Sequence, residues 1–163
     1  MASTTERAPE TAACAAAALL QELLPELVAL SLEAKQAQWN LTGPAFLPLH
    51  ELTDRVAADA RTWADRIAER ALALGFMVDA RPQTVAAVAS YFPSGRLMDP
   101  SPSSGTAWPS AISELRVRID HIAALAHSRL GQLAIDDPVA HDLTVAVAEG
   151  LERYGWMFRA QAA

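Results

Sequence analysis

Residues 34–75 read AKQAQWNLTGPAFLPLHELTDRVAADARTWADRIAERALALG, and the right-hand part of this stretch decides the fold. From about Ala45 to Leu74 the pattern predicts one long helix. Gly43-Pro44 stands at its start, where proline suits a first turn, and Gly75 follows its end, where a left-handed cap residue belongs. Apolar side chains recur at Leu49, Val56, Ala60, Trp63, Ile67, Ala71 and Leu74, with Thr53 as a weaker member. That three-and-four spacing is the stripe of a helix facing a bundle. A second stripe, turned by roughly 100°, carries His50, Asp54, Arg61, Asp65 and Glu69.

The second stripe holds two pairs spaced i,i+4, His50/Asp54 and Asp65/Glu69. Each pair stands one turn apart on one face, so its side chains can converge on a single cation. The two pairs face the same way, yet their midpoints lie about 22 Å apart along the axis at 1.5 Å per residue. One helix cannot bring all four groups to one ion. Two copies packed antiparallel about a two-fold axis near Asp59–Ala60 could, with His50 and Asp54 of one chain meeting Asp65 and Glu69 of the other. An oxygen-rich set with one imidazole suits Fe, Mn or Zn better than a soft metal. The same helix also carries Glu51/Arg55, Arg55/Asp59 and Arg61/Asp65, opposite charges of the kind found on any solvated helix face. Spacing alone leaves both readings open.

The stretch from Lys35 to Gly75 resembles the signature region of the Dps family, mini-ferritins named for DNA protection in starved cells. Members read K-x-x-H-W-N-x-x-G, then L-H-x-x-x-D, then D-x-x-A-E-R and L-G. Lys35, Trp39, Asn40, Gly43, Leu49, His50, Asp54, Asp65, Ala68, Glu69, Arg70, Leu74 and Gly75 all fall in register. The resemblance implies an all-α, ferritin-like four-helix bundle with a long crossover, containing a short helix, between the second and third helices. It implies assembly from two-fold dimers into a hollow dodecamer. It also implies oxidation of Fe(II) by peroxide or oxygen at a ferroxidase site between subunits, with iron storage in the shell as protection against oxidative stress.

Carried onto this chain, the metal and catalytic residues are His50, Asp54, Asp65 and Glu69. One departure matters. The family has a ligating histidine where this chain has Gln38, whose amide offers a neutral carbonyl oxygen or a hold on water, a poorer ligand for ferrous iron. The alternative is therefore a non-enzymatic shell protein whose metal site has degenerated, storing little iron and binding Zn or nothing. Trp39 reads as a core anchor, or, beside oxidising iron, as an electron donor. Glu51 would help nucleate mineral or pair with Arg55. By the same resemblance Asp142 matches an acidic position of the family's three-fold pores, where His141 beside it is unusual and has no assigned role.

At 163 residues the chain fits a single domain with a real core, expected over residues 11–163 behind a flexible tail at 1–10. Hydrophobic content of 52%, rich in alanine and leucine, with only seven glycines, favours helices over sheet. A formal charge of −6 and a pI near 5.1 argue against a general electrostatic grip on nucleic acid. Neither terminus is basic, so DNA binding is expected to be weak or absent. One cysteine, Cys14, excludes an internal disulfide. No run is expected to reach the roughly 18 apolar residues of a membrane span. Glu6 and Glu10 spoil the front of the apolar stretch 12–20 as a signal peptide, so a cytoplasmic protein is expected.

The first helix is predicted over about Thr11–Trp39, with Leu20, Leu23, Leu27, Leu30 and Ala34 inward. Pro25 predicts a kink, or a helix beginning in earnest near Leu24. Ala80-Arg81-Pro82 breaks any helix, Thr84–Ser90 could form a short one, and PSGRLMDPSPSSG makes the long connection. That connection would leave the second and third major helices parallel. A third helix should begin between Thr106 and Ser110, bearing His121 and His127 as surface or packing histidines. Asp136-Asp137-Pro138 signals the start of a fourth, with Leu143, Val147, Leu151, Tyr154 and Phe158 inward.

Overall fold

The computed structural model describes residues 9–90 and 108–161, and these form five helices and no strand. They are α1 (Pro9–Asn40), α2 (Phe46–Ala73), α3 (Pro82–Ala89), α4 (Trp108–Asp136) and α5 (Pro138–Gln161). The tail through residue 8 and the proline- and glycine-rich connection at 93–105 lie outside the described residues. The architecture is the ferritin-like bundle: four long helices with a short one in the crossover.

Helix ends follow from local chemistry. At the end of α2, Gly75 adopts φ 88°. Its N–H bonds the Leu72 carbonyl while that of Phe76 bonds Ala71, the paired closure that glycine makes possible. At its start, Pro44 lies in the preceding turn rather than in the helix, and Pro48 occupies the first turn instead. Its missing N–H is one that no helix could satisfy. Pro82 likewise opens α3 instead of only breaking what precedes it. A single residue, Asp137, separates α4 from α5. Its carboxylate accepts the N–H groups of Val139 (2.9 Å) and Ala140 (3.0 Å), and Arg70 of α2 holds its other oxygen at 2.6 Å.

The helix α1 runs unbroken through Pro25, so a start near Leu24 is not what forms. It is long and apolar enough to cross a membrane, contrary to the expectation from residue runs, but more than half of the qualifying window is buried within the protein. Its apolarity is that of a core helix, packed against α2, α3 and α4. Leu20, Leu23, Leu27, Leu30 and Ala34 are all fully buried there.

Contacts between α2 and α5 fix the topology. Arg70 meets Asp137, Trp63 lies against Gly150, and Asp59 accepts the Tyr154 hydroxyl at 2.5 Å. The two helices are therefore antiparallel. Since α5 folds straight back on α4, α4 runs parallel to α2, as the crossover predicts. Gly150 is required by close approach, because a Cβ there would collide with the Trp63 indole.

An ionic cluster lies inside the bundle. Arg118, only 2% exposed, reaches Glu26 (2.8 Å) and Glu33 (3.4 Å) of α1, and donates to the Val88 carbonyl at the end of α3 (3.4 Å). Two carboxylates share one guanidinium. Burial, only partly offset by Arg118 and reinforced by Glu26, pushes the Glu33 carboxyl up to about 7.

Candidate metal centre

The last turns of α1 carry Lys35, Gln38 and Trp39, and the first turns of α2 carry His50 and Asp54. The connection between them is short, with Gly43 at φ 104°. It folds α2 back along α1, and residues twelve or more apart in sequence become neighbours. Lys35 Nζ bonds Asp54 at 2.7 Å and also bonds the Gln38 side-chain oxygen. Gln38 Nε2 lies 3.4 Å from His50 Nε2 and 3.4 Å from the His50 carbonyl. His50 Nδ1 is 3.3 Å from the Gln38 carbonyl, and its ring packs against Phe46 at 5.1 Å between centroids.

The cluster is polar but shielded on one side: Gln38 is 4% exposed and His50 half-buried, while Asp54 is open to solvent. Hydrogen bonds from Lys35 and then Gln38 hold the Asp54 carboxyl below the usual carboxylate range, so it is ionised at neutral pH. The fold thus unites Gln38, His50 and Asp54. Gln38 does not hold its carbonyl oxygen free for an ion, since Lys35 has taken it.

Asp65 and Glu69 lie further along α2, exposed on the same face, about 22 Å between pair midpoints at 1.5 Å per residue. Among the described residues of one chain, no group of three or more His, Cys, Asp or Glu side chains could hold an ion. Trp39, expected as a core anchor, is 70% exposed, with Lys35 Nζ 6.0 Å from its ring centre. It sits on the outward face of the last turn of α1, whose neighbours Ala37 and Leu41 are the residues that enter the core. Glu51 is exposed, and Arg55 Nε turns to its backbone carbonyl (3.4 Å). Asp142 is exposed, 3.3 Å from His141 Nδ1. His121 lies 3.9 Å from Glu26 and His127 2.7 Å from Glu152, both at the surface.

Lys35, which in the sequence is only a matching motif position, touches both Gln38 and Asp54. Its position three residues before Gln38 signals the first contact. The second crosses between helices and has no spacing that could reveal it.

The ferritin-like domain family matches residues 17–163. The chain is 30% identical over 164 residues to the DNA protection during starvation protein of Agrobacterium fabrum, covering 93% of this chain and 90% of that one. It is 32% identical to DNA protection during starvation protein 2 of Deinococcus radiodurans, over 86% of this chain and just over half (56%) of that protein's length. Among solved structures, Dps from Microbacterium arborescens in its high iron form superposes with a TM-score of 0.79 at 29% identity, covering 92% of this chain and 93% of that one. With the bundle, the crossover helix and the polar cluster at the head of α2, these likenesses show that the chain belongs to the Dps family of ferritin-like proteins.

Proposed function

We propose that two copies of this chain pair their α2 helices antiparallel about a two-fold axis between Asp59 and Ala60, and that each pair holds two sites where Fe(II) is captured and oxidised. The observation that carries this is one face of α2. Leu47, His50, Asp54, Ala58, Arg61, Asp65, Glu69 and Leu72 follow each other at three-and-four spacing, and all are exposed apart from half-buried His50. In the antiparallel pairing each residue meets the one equally far beyond the centre. His50 meets Glu69 of the mate and Asp54 meets Asp65. Leu47 and Leu72, 62% and 55% exposed in the single chain, meet each other at the ends. The two exposed leucines obey the same symmetry as the ligand candidates, which a solvated face would have no reason to do.

At such a site the carboxylates Asp54, Asp65 and Glu69 favour Fe(III) over Fe(II), because hard anionic oxygen favours the higher charge. Peroxide takes one electron from each of two Fe(II) ions; its O–O bond breaks and yields two hydroxides. Water then supplies the remaining oxygen of the ferric mineral and releases protons. Iron is the metal that family membership supports, and nothing in the site favours Zn or Mn. Residues 11–163 form the single domain, the dimers build a hollow dodecamer, and iron is stored inside it in the cytoplasm as protection against oxidative stress. The net charge of −6 favours weak DNA binding, whatever the relatives' names say of those proteins.

Complementation tests the shared site. His50→Ala and Glu69→Ala should each lose peroxide-dependent Fe(II) oxidation. Co-assembled at random, they should recover about a quarter of the wild-type rate, because half the dimers are mixed and each mixed dimer keeps one whole site. No recovery would refute a site drawn from two chains. A second reading, a shell that oxidises little iron, is favoured by the commitment of Gln38 to Lys35 and His50. Wild-type protein that forms a shell but neither speeds oxidation nor retains iron would establish it.

A further inference from the structure

The Gln38 side chain stands where an incoming cation would have to sit. Its amide has one oxygen, which accepts, and an NH2 group, which only donates. Lys35 is itself purely a donor, so the atom facing Lys35 Nζ is the oxygen. The NH2 group is thereby turned toward the two ligand candidates at the head of α2. It lies 3.4 Å from His50 Nε2 and 3.4 Å from the His50 carbonyl. His50 Nδ1 faces the Gln38 backbone carbonyl at 3.3 Å. A carbonyl can only accept, so Nδ1 carries the ring proton and Nε2 presents its lone pair to the amide. The lone pair that would bind a cation is thus occupied by the Gln38 NH2 group, and the carboxylate beside it by Lys35 Nζ, which also holds the Gln38 oxygen.

We propose that Gln38 is a built-in plug of the cation site and that Lys35 is its latch, an inference that rests on the reading of His50 and Asp54 as Fe(II) ligands. A cation can use His50 Nε2 only after the amide has left. Turning the amide about its last bond would offer the oxygen to the ion, but it would point the NH2 group at Lys35, donor against donor. Lys35 must therefore release Gln38 before the amide can turn, and release Asp54 before that carboxylate oxygen can bind the ion. The plug sets a threshold for entry. Cations that bind imidazole and carboxylate strongly displace it, whereas Mg²⁺, which prefers oxygen ligands and gives up water reluctantly, does not.

Co(II), a spectroscopic substitute for Fe(II), tests this without turnover. It is titrated into the full-length protein, and the dissociation constant is read from its visible bands. Gln38→Leu fills the space without N–H groups, and Gln38→Ala removes the plug outright. Both should bind Co(II) on the order of three- to tenfold more tightly than wild type, the worth of about one net hydrogen bond. Lys35→Met should tighten binding at least as much, since it also frees Asp54. If both Gln38 variants bind Co(II) like wild type, or more weakly, the plug is overturned, and weaker binding would make Gln38 a ligand through its oxygen. His50→Ala separates the two readings. Unchanged Co(II) binding in that variant refutes the site itself, whereas lost binding with unaltered Gln38 variants refutes only the plug.

Discussion

Glu33 should make this protein less stable as pH rises, against the usual behaviour of a carboxylate. It is buried between α1 and α4 and shares Arg118 with Glu26, while His121 lies at the edge of the cluster. One guanidinium balances one carboxylate, so the second is surplus charge in a desolvated place. Its carboxyl is raised from 4.5 to about 7 by burial, lowered in part by Arg118 and raised again by Glu26. The folded chain therefore holds a proton between those values that the unfolded chain has released, and stability falls as pH rises through that window. The cost is small below pH 4.5 and complete above 7. A shift of that size corresponds to about 3 kcal/mol. Glu33→Gln removes the titrating group while keeping shape and polarity. It should stabilise the fold by about 3 kcal/mol at pH 8 and by less than about 1 kcal/mol at pH 5. Urea unfolding of both proteins at the two pH values, at one fixed subunit concentration because assembly adds to stability, measures the difference. A variant less stable than wild type at pH 8, or an equal gap at both pH values, would refute the reasoning.

Three other outcomes are expected. Asp137→Ala removes the cap of α5 and strips Arg70 of its partner. It should cost about 2 kcal/mol or more at pH 7 by chemical denaturation. Burial raises the Asp137 carboxyl, but the Ala140 N–H and Arg70 together outweigh it and leave it lowered. That loss should shrink as pH falls below the unfolded carboxylate range, and a constant loss would argue against the cap. Gly150→Ala drives a methyl into the Trp63 indole and should cost about 1–3 kcal/mol, read as a lower urea midpoint; an unchanged midpoint would mean that Trp63 moves freely. Duplex DNA should not shift in a gel at about 0.15 M salt without added Mg²⁺, and a tight complex there would overturn the inference from charge.

The sequence by itself determined the elements and their order. Periodicity along α2, the Gly75 closure and the Asp137-Pro138 start are local signals: each depends on a few neighbouring residues, and each helix boundary falls within a few residues of where those signals put it. The run of proline and glycine after α3 determined the crossover, and with it the parallel course of α2 and α4. The symmetry of His50/Asp54 and Asp65/Glu69 was likewise legible, because it is a property of one helix. Contacts between helices were not. The tertiary structure alone decided that Lys35 holds Asp54, that Gln38 turns its N–H groups rather than its oxygen toward His50, and that Glu26 and Glu33 share one buried arginine. It alone placed Trp39 at the surface and Trp63 against Gly150. The physical reason is that a side chain's partner across a helix interface depends on rotation and axial offset of both helices. Those two quantities are set by packing summed over the whole bundle and leave no spacing in the chain to read.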